Sequence, residues 1–448
     1  MEKQSQSSVS AVGIIAEYNP FHNGHAYQLK KAKELSGADY CIAAISGDFV
    51  QRGGPAVFDK YTRAAMTLDA GADLVVELPP VFASSSAEDF AACGVALLDA
   101  MGVSHLCFGS ESGDLEELSA AADLLVEEPE EYQQALRQYL KEGYTFPQAR
   151  AAALSSYDRN IDLELLNQPN NTLGIEYLKA LKKRNSAITP ITIKRMGSGY
   201  HEAAIFPDQP MASATAIRAV LEAQTAVIPN PSISKANPES LQPIISGGFG
   251  NSDNSSDSVQ LLASQMPAAA LELARTRTPL TVDDFSAILS FRLLELDRRG
   301  TDLGQFLDVS PELAQRIRRQ VLDFSSISSR IQNLKTRQYT YTRISRSLFH
   351  ILLNMTEDDT IRRKQRGYVS YIRVLGFRRE SSALLSAIKK ASALPLITKT
   401  ADASKILSEH AFSDFQKDLY CSHLYQAVYQ AKTGQALPNE YIHSVIIR

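Results

Sequence analysis

Short apolar runs alternate with segments of helical spacing through the first half of this 448-residue chain. The runs cover residues 12–15, 40–46, 73–78, 104–108 and 191–195, and Gly, Pro, Asn or Ser residues follow them. Strands separated by helices favour a parallel sheet with helices on both faces, because parallel strands need a long crossover connection. The sequence therefore predicts an α/β fold for residues 1–222, with ligands bound beyond the carboxyl ends of the strands.

The turn after the first strand reads EYNPFHNGH, residues 17–25. His22 and His25 flank Gly24 at the start of a helix-like segment, residues 26–35. A helix N-terminus presents unpaired N–H groups that suit phosphate, and histidines there can stabilise the charge that develops when a triphosphate is cleaved. The pair therefore indicates nucleotide chemistry at the α-phosphate. It could also be two surface histidines or half of a metal site, although no third ligand stands at a suitable spacing.

A later helix start reads SATAIR, residues 213–218. Its hydroxyls and N-terminal amides can hold the β- and γ-phosphates of a nucleotide, and Arg218 returns to the helix face of Thr215. Alone, this segment would be an ordinary N-cap. Together with the histidine pair, it favours a phosphate site built from two distant parts of the chain.

Other predicted turns also carry polar residues or glycine. In SGDFVQRG, residues 46–53, Asp48 could orient an amine or a hydroxyl, and Arg52 could hold a carboxylate or a phosphate. Gly109 follows the fourth strand, where a glycine would let the backbone approach a nucleotide closely. The amides of Asn170 and Asn171 could contact ribose or base, although one of them could instead cap a helix. The first two segments are also compatible with simple surface turns.

Composition is typical of a soluble globular protein, with 44% hydrophobic and 21% charged residues. The polar first ten residues and the lack of a long apolar run argue against a secretion signal and a membrane span, so a cytoplasmic location is expected. The four cysteines have no metal-binding spacing, which indicates reduced core residues. They are Cys41, Cys93, Cys107 and Cys421.

The chain divides into three predicted segments. Residues 1–222 form the catalytic domain, residues 223–258 form a linker or insertion rich in Pro, Ser, Asn and Gly, and residues 259–448 are mainly helical. Short runs at 368–375 and 394–398 could form strands.

Basic residues outnumber acidic ones in 311–380, the reverse of the balance in 1–222, so the C-terminal region is predicted to bind a polyanion. The basic residues of this region are interleaved with Tyr339 and Tyr341, and such a mixture suits phosphate contact with base stacking. A charge run is, however, often a solvated helix face. The basic residues are Arg316, Arg318, Arg319, Arg330, Lys335, Arg337, Arg343 and Arg346, followed by Arg362, Arg363, Lys364 and Arg366.

These motifs, with PNNTLGIEYLKAL at 169–181, resemble the tRNA(Met) cytidine acetate ligase family within the HxGH nucleotidyltransferase superfamily. Gly54 departs from the family pattern, which usually has Glu there. The resemblance implies a Rossmann-like nucleotidyltransferase domain followed by a mainly α-helical, tRNA-binding region. It also implies that ATP, with Mg²⁺, and acetate form acetyl-adenylate. The wobble cytidine of elongator tRNA(Met) would then become N4-acetylcytidine.

The resemblance also implies site residues. His22 and His25 would act in adenylation, and Asp48 and Arg52 would border the acetyl and cytidine end. The expected ATP contacts are Ile15, Ala16, Glu17, Tyr18, Asn19, Pro20, Phe21, Asn23, Gly24, Gln28, Gly109, Asn170, Asn171, Arg195, Ser213, Thr215 and Arg218. No metal ligands are expected from the chain. The alternatives are a small-molecule adenylyl- or cytidylyltransferase and, in another class, a non-catalytic RNA-binding module.

Overall fold

A computed structural model describes residues 10–157, 163–195, 211–226, 254–336 and 338–448. Most of the predicted linker, and Arg337, lie outside these ranges. The strands are β1 Ala11–Ala16, β2 Tyr40–Ser46, β3 Phe49–Val50, β4 Gly54–Pro55, β5 Leu74–Leu78, β6 His105–Ser110, β7 Thr189–Lys194, β8 Ile372–Phe377, β9 Leu396–Ile397 and β10 Ile446–Ile447.

Helices surround these strands and fill most of the C-terminal region. The first ten are α1 Asn23–Ser36, α2 Lys60–Asp69, α3 Pro80–Ala83, α4 Ala87–Ala100, α5 Leu115–Glu127, α6 Glu130–Lys141, α7 Phe146–Tyr157, α8 Leu163–Asn167, α9 Pro169–Lys183 and α10 Ala214–Ala226. The others are α11 Asn254–Gln265, α12 Ala268–Arg275, α13 Ser286–Arg298, α14 Pro311–Arg319, α15 Ile327–Leu334, α16 Tyr341–Leu352, α17 Glu357–Gln365, α18 Ser382–Ala391, α19 Ala403–Ile406 and α20 Glu409–Thr433.

One eight-stranded sheet organises the molecule, in the order β10-β8-β5-β2-β1-β6-β7, with β9 paired to β8. Strands β1, β2, β5, β6 and β7 run parallel, which confirms the predicted α/β fold. From β1 the chain adds β2 and β5 on one side, then crosses to add β6 and β7 on the other. The carboxyl ends of β1 and β6 therefore border the crevice where parallel sheets of this kind bind ligands.

The C-terminal region completes this sheet, which the sequence did not predict. Strand β8 pairs antiparallel with β5, so it covers an edge whose backbone groups would otherwise lack partners. Strands β9 and β10 pair parallel with β8. The two short runs expected as strands lie at β8 and β9, with shifted ends.

Buried charges join the same two parts of the chain. Lys60 Nζ lies 2.9 Å from Glu77 Oε2 and 3.3 Å from Glu440 Oε2. Arg373, on β8, pairs with both carboxylates. All four side chains are buried, so loss of one partner would leave an uncompensated charge in the interior.

Apolar residues of β1 alternate between two cores, as expected for a sheet with helices on both faces. Val12 and Ile14 pack into one cluster, whereas Ala11 and Ile15 pack into the other. All four cysteines are buried and reduced, and burial raises the pKa of each thiol. Among the described residues, none of the helices has both the length and the apolar character needed to span a membrane.

Candidate active site

An open cleft lies beyond the carboxyl ends of β1 and β6. Most of the predicted site residues line it. They are Ile15, Ala16, Glu17, Tyr18, Asn19, His22, His25, Gln28, Arg52, Gly109, Asn170, Arg195, Ser213, Thr215 and Arg218. Gly24 borders an adjoining pocket shared with both histidines and Arg195. Within the described ranges, no group of three or more His, Cys, Asp or Glu side chains could hold a metal ion.

The two histidines begin α1 and cap it with their own rings. His22 Nδ1 accepts a hydrogen bond from the Gly24 N–H at 3.1 Å, and His25 Nδ1 accepts one from the His22 N–H at 3.3 Å. A ring nitrogen that accepts carries no proton, so this geometry assigns the proton of each neutral imidazole to Nε2. The ring centroids are 3.7 Å apart. Each Nε2–H is therefore the ring donor that remains for a ligand.

Burial keeps both rings neutral. It lowers the pKa of His22 to about 3, with Arg195 and Arg218 adding to the effect. It also lowers the pKa of His25 well below its ordinary value, assisted by His22 and Arg195. Near neutral pH the pair can donate hydrogen bonds but carries no net charge, so the positive charge comes from arginines.

The first motif and SATAIR meet directly. Arg218 Nη1 donates to the backbone carbonyl of Asn19 at 2.7 Å. Arg218 Nη2 also donates to Thr215 Oγ1 at 3.0 Å, and Ser213 Oγ accepts from the Ala216 N–H at the start of α10. The two motifs that were predicted to converge thus meet through a hydrogen bond from the Arg218 side chain to the backbone of Asn19.

Arg52 lies at this same end of the cleft. It follows β3, and its Nη1 is 3.4 Å from Thr215 Oγ1. The sequence had placed Arg52 with Asp48 at the acetyl and cytidine end. Instead, two guanidinium groups share the Thr215 hydroxyl, an arrangement suited to the charge of a polyphosphate.

Asp48 does not line the histidine cleft. Its side chain is buried, its Oδ1 accepts from the Lys60 N–H at 2.9 Å, and it borders a separate cavity with Tyr61 and His443. Burial raises the pKa of Asp48 to about 6. The side chain turns from β2 towards the N-terminus of α2, so Asp48 lies apart from the cleft that holds the histidines, and its catalytic role stays a prediction.

The two asparagines have different surroundings. Asn171 is buried, and its Oδ1 accepts from the N–H groups of Glu111 at 2.9 Å and Ser112 at 3.1 Å. Asn170 lines the cleft, and its Nδ2 donates to Glu111 Oε1 at 2.6 Å. Asn171 thus fixes the turn after β6, whereas Asn170 faces the space where a ligand would lie.

Three expected contacts belong to the support of the site. Phe21 is fully buried, and its ring packs against Tyr18 and His25 with centroids 4.9 and 5.6 Å away. Asn23 Nδ2 donates to the Ser264 carbonyl at 2.9 Å, and Pro20 is buried. None of the three lines the cleft itself.

Sequence reasoning missed several lining residues, namely Gln51, Phe90, Phe108, Leu173, Tyr177 and Ala214. Gln51 adjoins Arg52 in a motif already noted, and its N–H donates to Glu17 Oε1 at 3.0 Å. Ala214 lies within SATAIR, and Leu173 and Tyr177 lie within PNNTLGIEYLKAL, so these motifs could have indicated them. Phe90 and Phe108 gave no signal, because phenylalanines on helices and strands are usually core.

Arg63 was also missed, because it lies on α2 among apolar residues. This fully buried guanidinium donates to the carbonyls of Glu17 at 2.7 Å and Ser46 at 2.9 Å, and to those of Phe58 and Gly47. It therefore ties together the ends of β1 and β2, from which the histidine turn and the Arg52 turn leave the sheet.

Fold and site together define a nucleotidyltransferase, and a model of the HIGH Nucleotidyl Transferase family matches residues 9–439. The tRNA(Met) cytidine acetate ligase of Thermoanaerobacter sp. (strain X514) is 39% identical and aligns over 97% of this chain and 99% of its own. That of Caldanaerobacter subterraneus subsp. tengcongensis is 38% identical, over 98% and 100%. The chain belongs to the tRNA(Met) cytidine acetate ligase family.

A solved structure extends the likeness to the whole fold. Thermotoga maritima TmcAL bound with alpha-thio ATP superposes with a TM-score of 0.82 at 29% sequence identity, and covers 98% of this chain and 100% of its own. The apo form of the same protein gives a TM-score of 0.84. Both comparisons include the C-terminal region.

Proposed function

We propose that this chain activates acetate with ATP and acetylates the wobble cytidine of elongator tRNA(Met). First, an acetate oxygen attacks the α-phosphorus, the bond to pyrophosphate breaks, and acetyl-adenylate forms. The N4 amine of cytidine then attacks the acetyl carbon, the bond to the AMP oxygen breaks, and the amine loses one proton. The names of the relatives and the alpha-thio ATP complex of TmcAL support this reaction over a small-molecule nucleotidyltransferase.

His22 and His25 act at the α-phosphate in this proposal. Their Nε2–H groups donate to the oxygens on which negative charge builds up as acetate attacks. Donors fixed before the reaction stabilise such a transition state effectively, because they need no reorganisation. The contacts of both Nδ1 atoms within α1 supply this fixed orientation.

Thr215, Arg218 and Arg52 hold the leaving pyrophosphate. The contact of Arg218 with the Asn19 carbonyl at 2.7 Å is the observation that carries the proposal, because it joins the phosphate-binding helix to the histidine turn. Gly109, Asn170 and Arg195 hold the nucleoside half of ATP. A Cβ at Gly109 would approach Arg195 Cγ to 3.3 Å, so a side chain there would crowd this end.

Mg²⁺ is proposed to enter bound to the triphosphate, whose hard oxygens it prefers as ligands. Acetate is proposed to lie beside the α-phosphate, within reach of the histidines. We also propose that the protein acts in the cytoplasm, where ATP and tRNA are available together.

Two linked assays test this function. The first measures acetate-dependent exchange of labelled pyrophosphate into ATP, and the second measures transfer of labelled acetate to elongator tRNA(Met). We expect both activities, and we expect transfer to disappear when the wobble cytidine is replaced by uridine. Acetate-dependent exchange without transfer to any tRNA would overturn the ligase and favour the small-molecule alternative.

A further inference from the structure

The first half of α16 packs against the turn that carries Arg52. Ser345 Oγ donates to the carbonyl of Gly53, and a Cβ at Gly53 would collide with the backbone of Arg346. Gly53 has a positive φ of 77°, so both its conformation and its surroundings require glycine. The cleft-lining Gln51–Arg52 turn and α16 are therefore held backbone against backbone.

Tyr341 lies in the first turn of α16, on the N-terminal side of this contact. It precedes Ser345 by one helical turn and shares its face. Burial raises the pKa of Tyr341, and the negative charges of Asp283 and Glu222 add to the effect. Tyr341 lies one helical turn from the contact between α16 and the cleft-lining Arg52 turn, and its side chain is 36% exposed.

Most side chains of the predicted basic cluster have partners within the protein. Arg330 is buried, Arg363 is paired with Asp414 and Asp418, and Arg346 is paired with Asp308. Tyr339 is also buried, and its hydroxyl lies 2.6 Å from Ser310 Oγ. These side chains therefore stabilise the fold and are not available for nucleic acid.

Arg343 is different from these neighbours. Its guanidinium carbon lies 5.1 Å from the centroid of the Tyr339 ring, and the side chain is half-buried. In the described part of the chain it forms no ion pair with a carboxylate. A guanidinium group that rests on an aromatic ring and pairs with no carboxylate can still bind an anion from outside the protein.

We propose that Tyr341 is the stacking platform for the target base and that Arg343 contacts a phosphate of the same RNA strand. The inference rests on the proposed function and specifies its RNA subsite. The cytidine must leave its neighbours for N4 to reach acetyl-adenylate, and its ring face then needs a new partner. The negative charges of Asp283 and Glu222 act on Tyr341, so they disfavour a phosphate there but tolerate a neutral base, which separates the two roles.

Tyr341→Ala and Tyr341→Phe test the platform. We expect Tyr341→Ala to lower kcat/KM for tRNA about 5-fold to about 100-fold, the usual effect of losing one stacked base, while acetate-dependent ATP–pyrophosphate exchange stays unchanged. Tyr341→Phe keeps the ring and should retain transfer. Tyr420→Ala is the matched control, because Tyr420 is a 46% exposed tyrosine on α20. Its transfer should equal that of the unaltered protein.

Arg343→Gln tests the phosphate contact independently. It should weaken tRNA binding and reduce the slope of log K against log salt by about 0.7, the value for one single-strand phosphate. Unchanged transfer by Tyr341→Ala, or loss of exchange together with transfer, would overturn the platform. Absence of exchange or transfer in the unaltered protein would instead overturn the proposed function.

Discussion

Arg52 and Thr215 are 163 residues apart in the chain, yet Arg52 Nη1 lies 3.4 Å from Thr215 Oγ1. Arg218 Nη2, on the same helix as Thr215, donates to the same hydroxyl at 3.0 Å. Two guanidinium groups therefore meet at one hydroxyl. A bound polyphosphate there could accept charge-assisted hydrogen bonds from both of them.

Arg52→Lys should raise the KM for ATP and for pyrophosphate about tenfold and leave the KM for acetate unchanged. Lysine keeps the charge but loses the planar fork, and one charge-assisted hydrogen bond is worth a factor of this order. Exchange kinetics with each substrate varied in turn provide the measurement. A rise in the acetate KM alone would return Arg52 to the acetyl end, where the sequence had predicted it.

His25→Ala should reduce the adenylation rate by about 10²–10³, as for the loss of one donor to a developing charge. Rapid-quench measurement of acetyl-adenylate formation separates this step from transfer. His410→Ala, which alters an exposed histidine, is the control. Full adenylation activity in the His25 variant would remove this ring from the mechanism.

The adenylation rate should show no inflection near pH 6.5 from the histidine pair. Burial lowers the pKa of His22 to about 3 and that of His25 also falls well below 6.5, so both rings stay neutral as the pH falls through the ordinary range. Stopped-flow measurement across pH in the unaltered protein checks this. An inflection that disappears in His25→Gln would contradict it.

The same pKa values predict a loss of stability in acid. Unfolded histidines bind protons below about pH 6.5, whereas the folded pair does not. The contribution of the pair is therefore fully present above that pH and declines as the pH falls. In urea unfolding, the free energy of unfolding of the double variant His22→Gln/His25→Gln should decrease less between about pH 6.5 and pH 5 than that of the unaltered protein.

Asp48→Asn should leave exchange and transfer within about twofold of the unaltered protein, because Asp48 borders a different cavity. Its effect should appear in stability. The folded pKa is raised to about 6 from 3.8, so the carboxyl favours folding most below pH 3.8 and loses that contribution as the pH rises through 6. Relative to that of the unaltered protein, the free energy of unfolding of the variant should therefore be higher at pH 7 than at pH 4. Loss of transfer alone would restore Asp48 to the reaction.

The sequence was sufficient where a local rule applies. Strand periodicity and the turns after β1 and β6 located the cleft, because carboxyl ends of parallel strands meet at one edge. The histidine turn and SATAIR were each recognisable from residue types that suit helix N-termini and phosphate. These features depend on residues close together in the chain, so they survive without knowledge of packing.

Tertiary structure alone decided which side chain turns into the cleft. Arg52 and Asp48 share one motif, and Asn170 and Asn171 are adjacent, yet within each pair only one side chain lines the cleft. It also decided that Arg330 and Arg363 are internal, whereas Arg343 forms no ion pair with a carboxylate among the described residues, and that β8 completes the sheet. Side-chain direction in a turn and pairing across hundreds of residues are set by what packs against them, which no local pattern records.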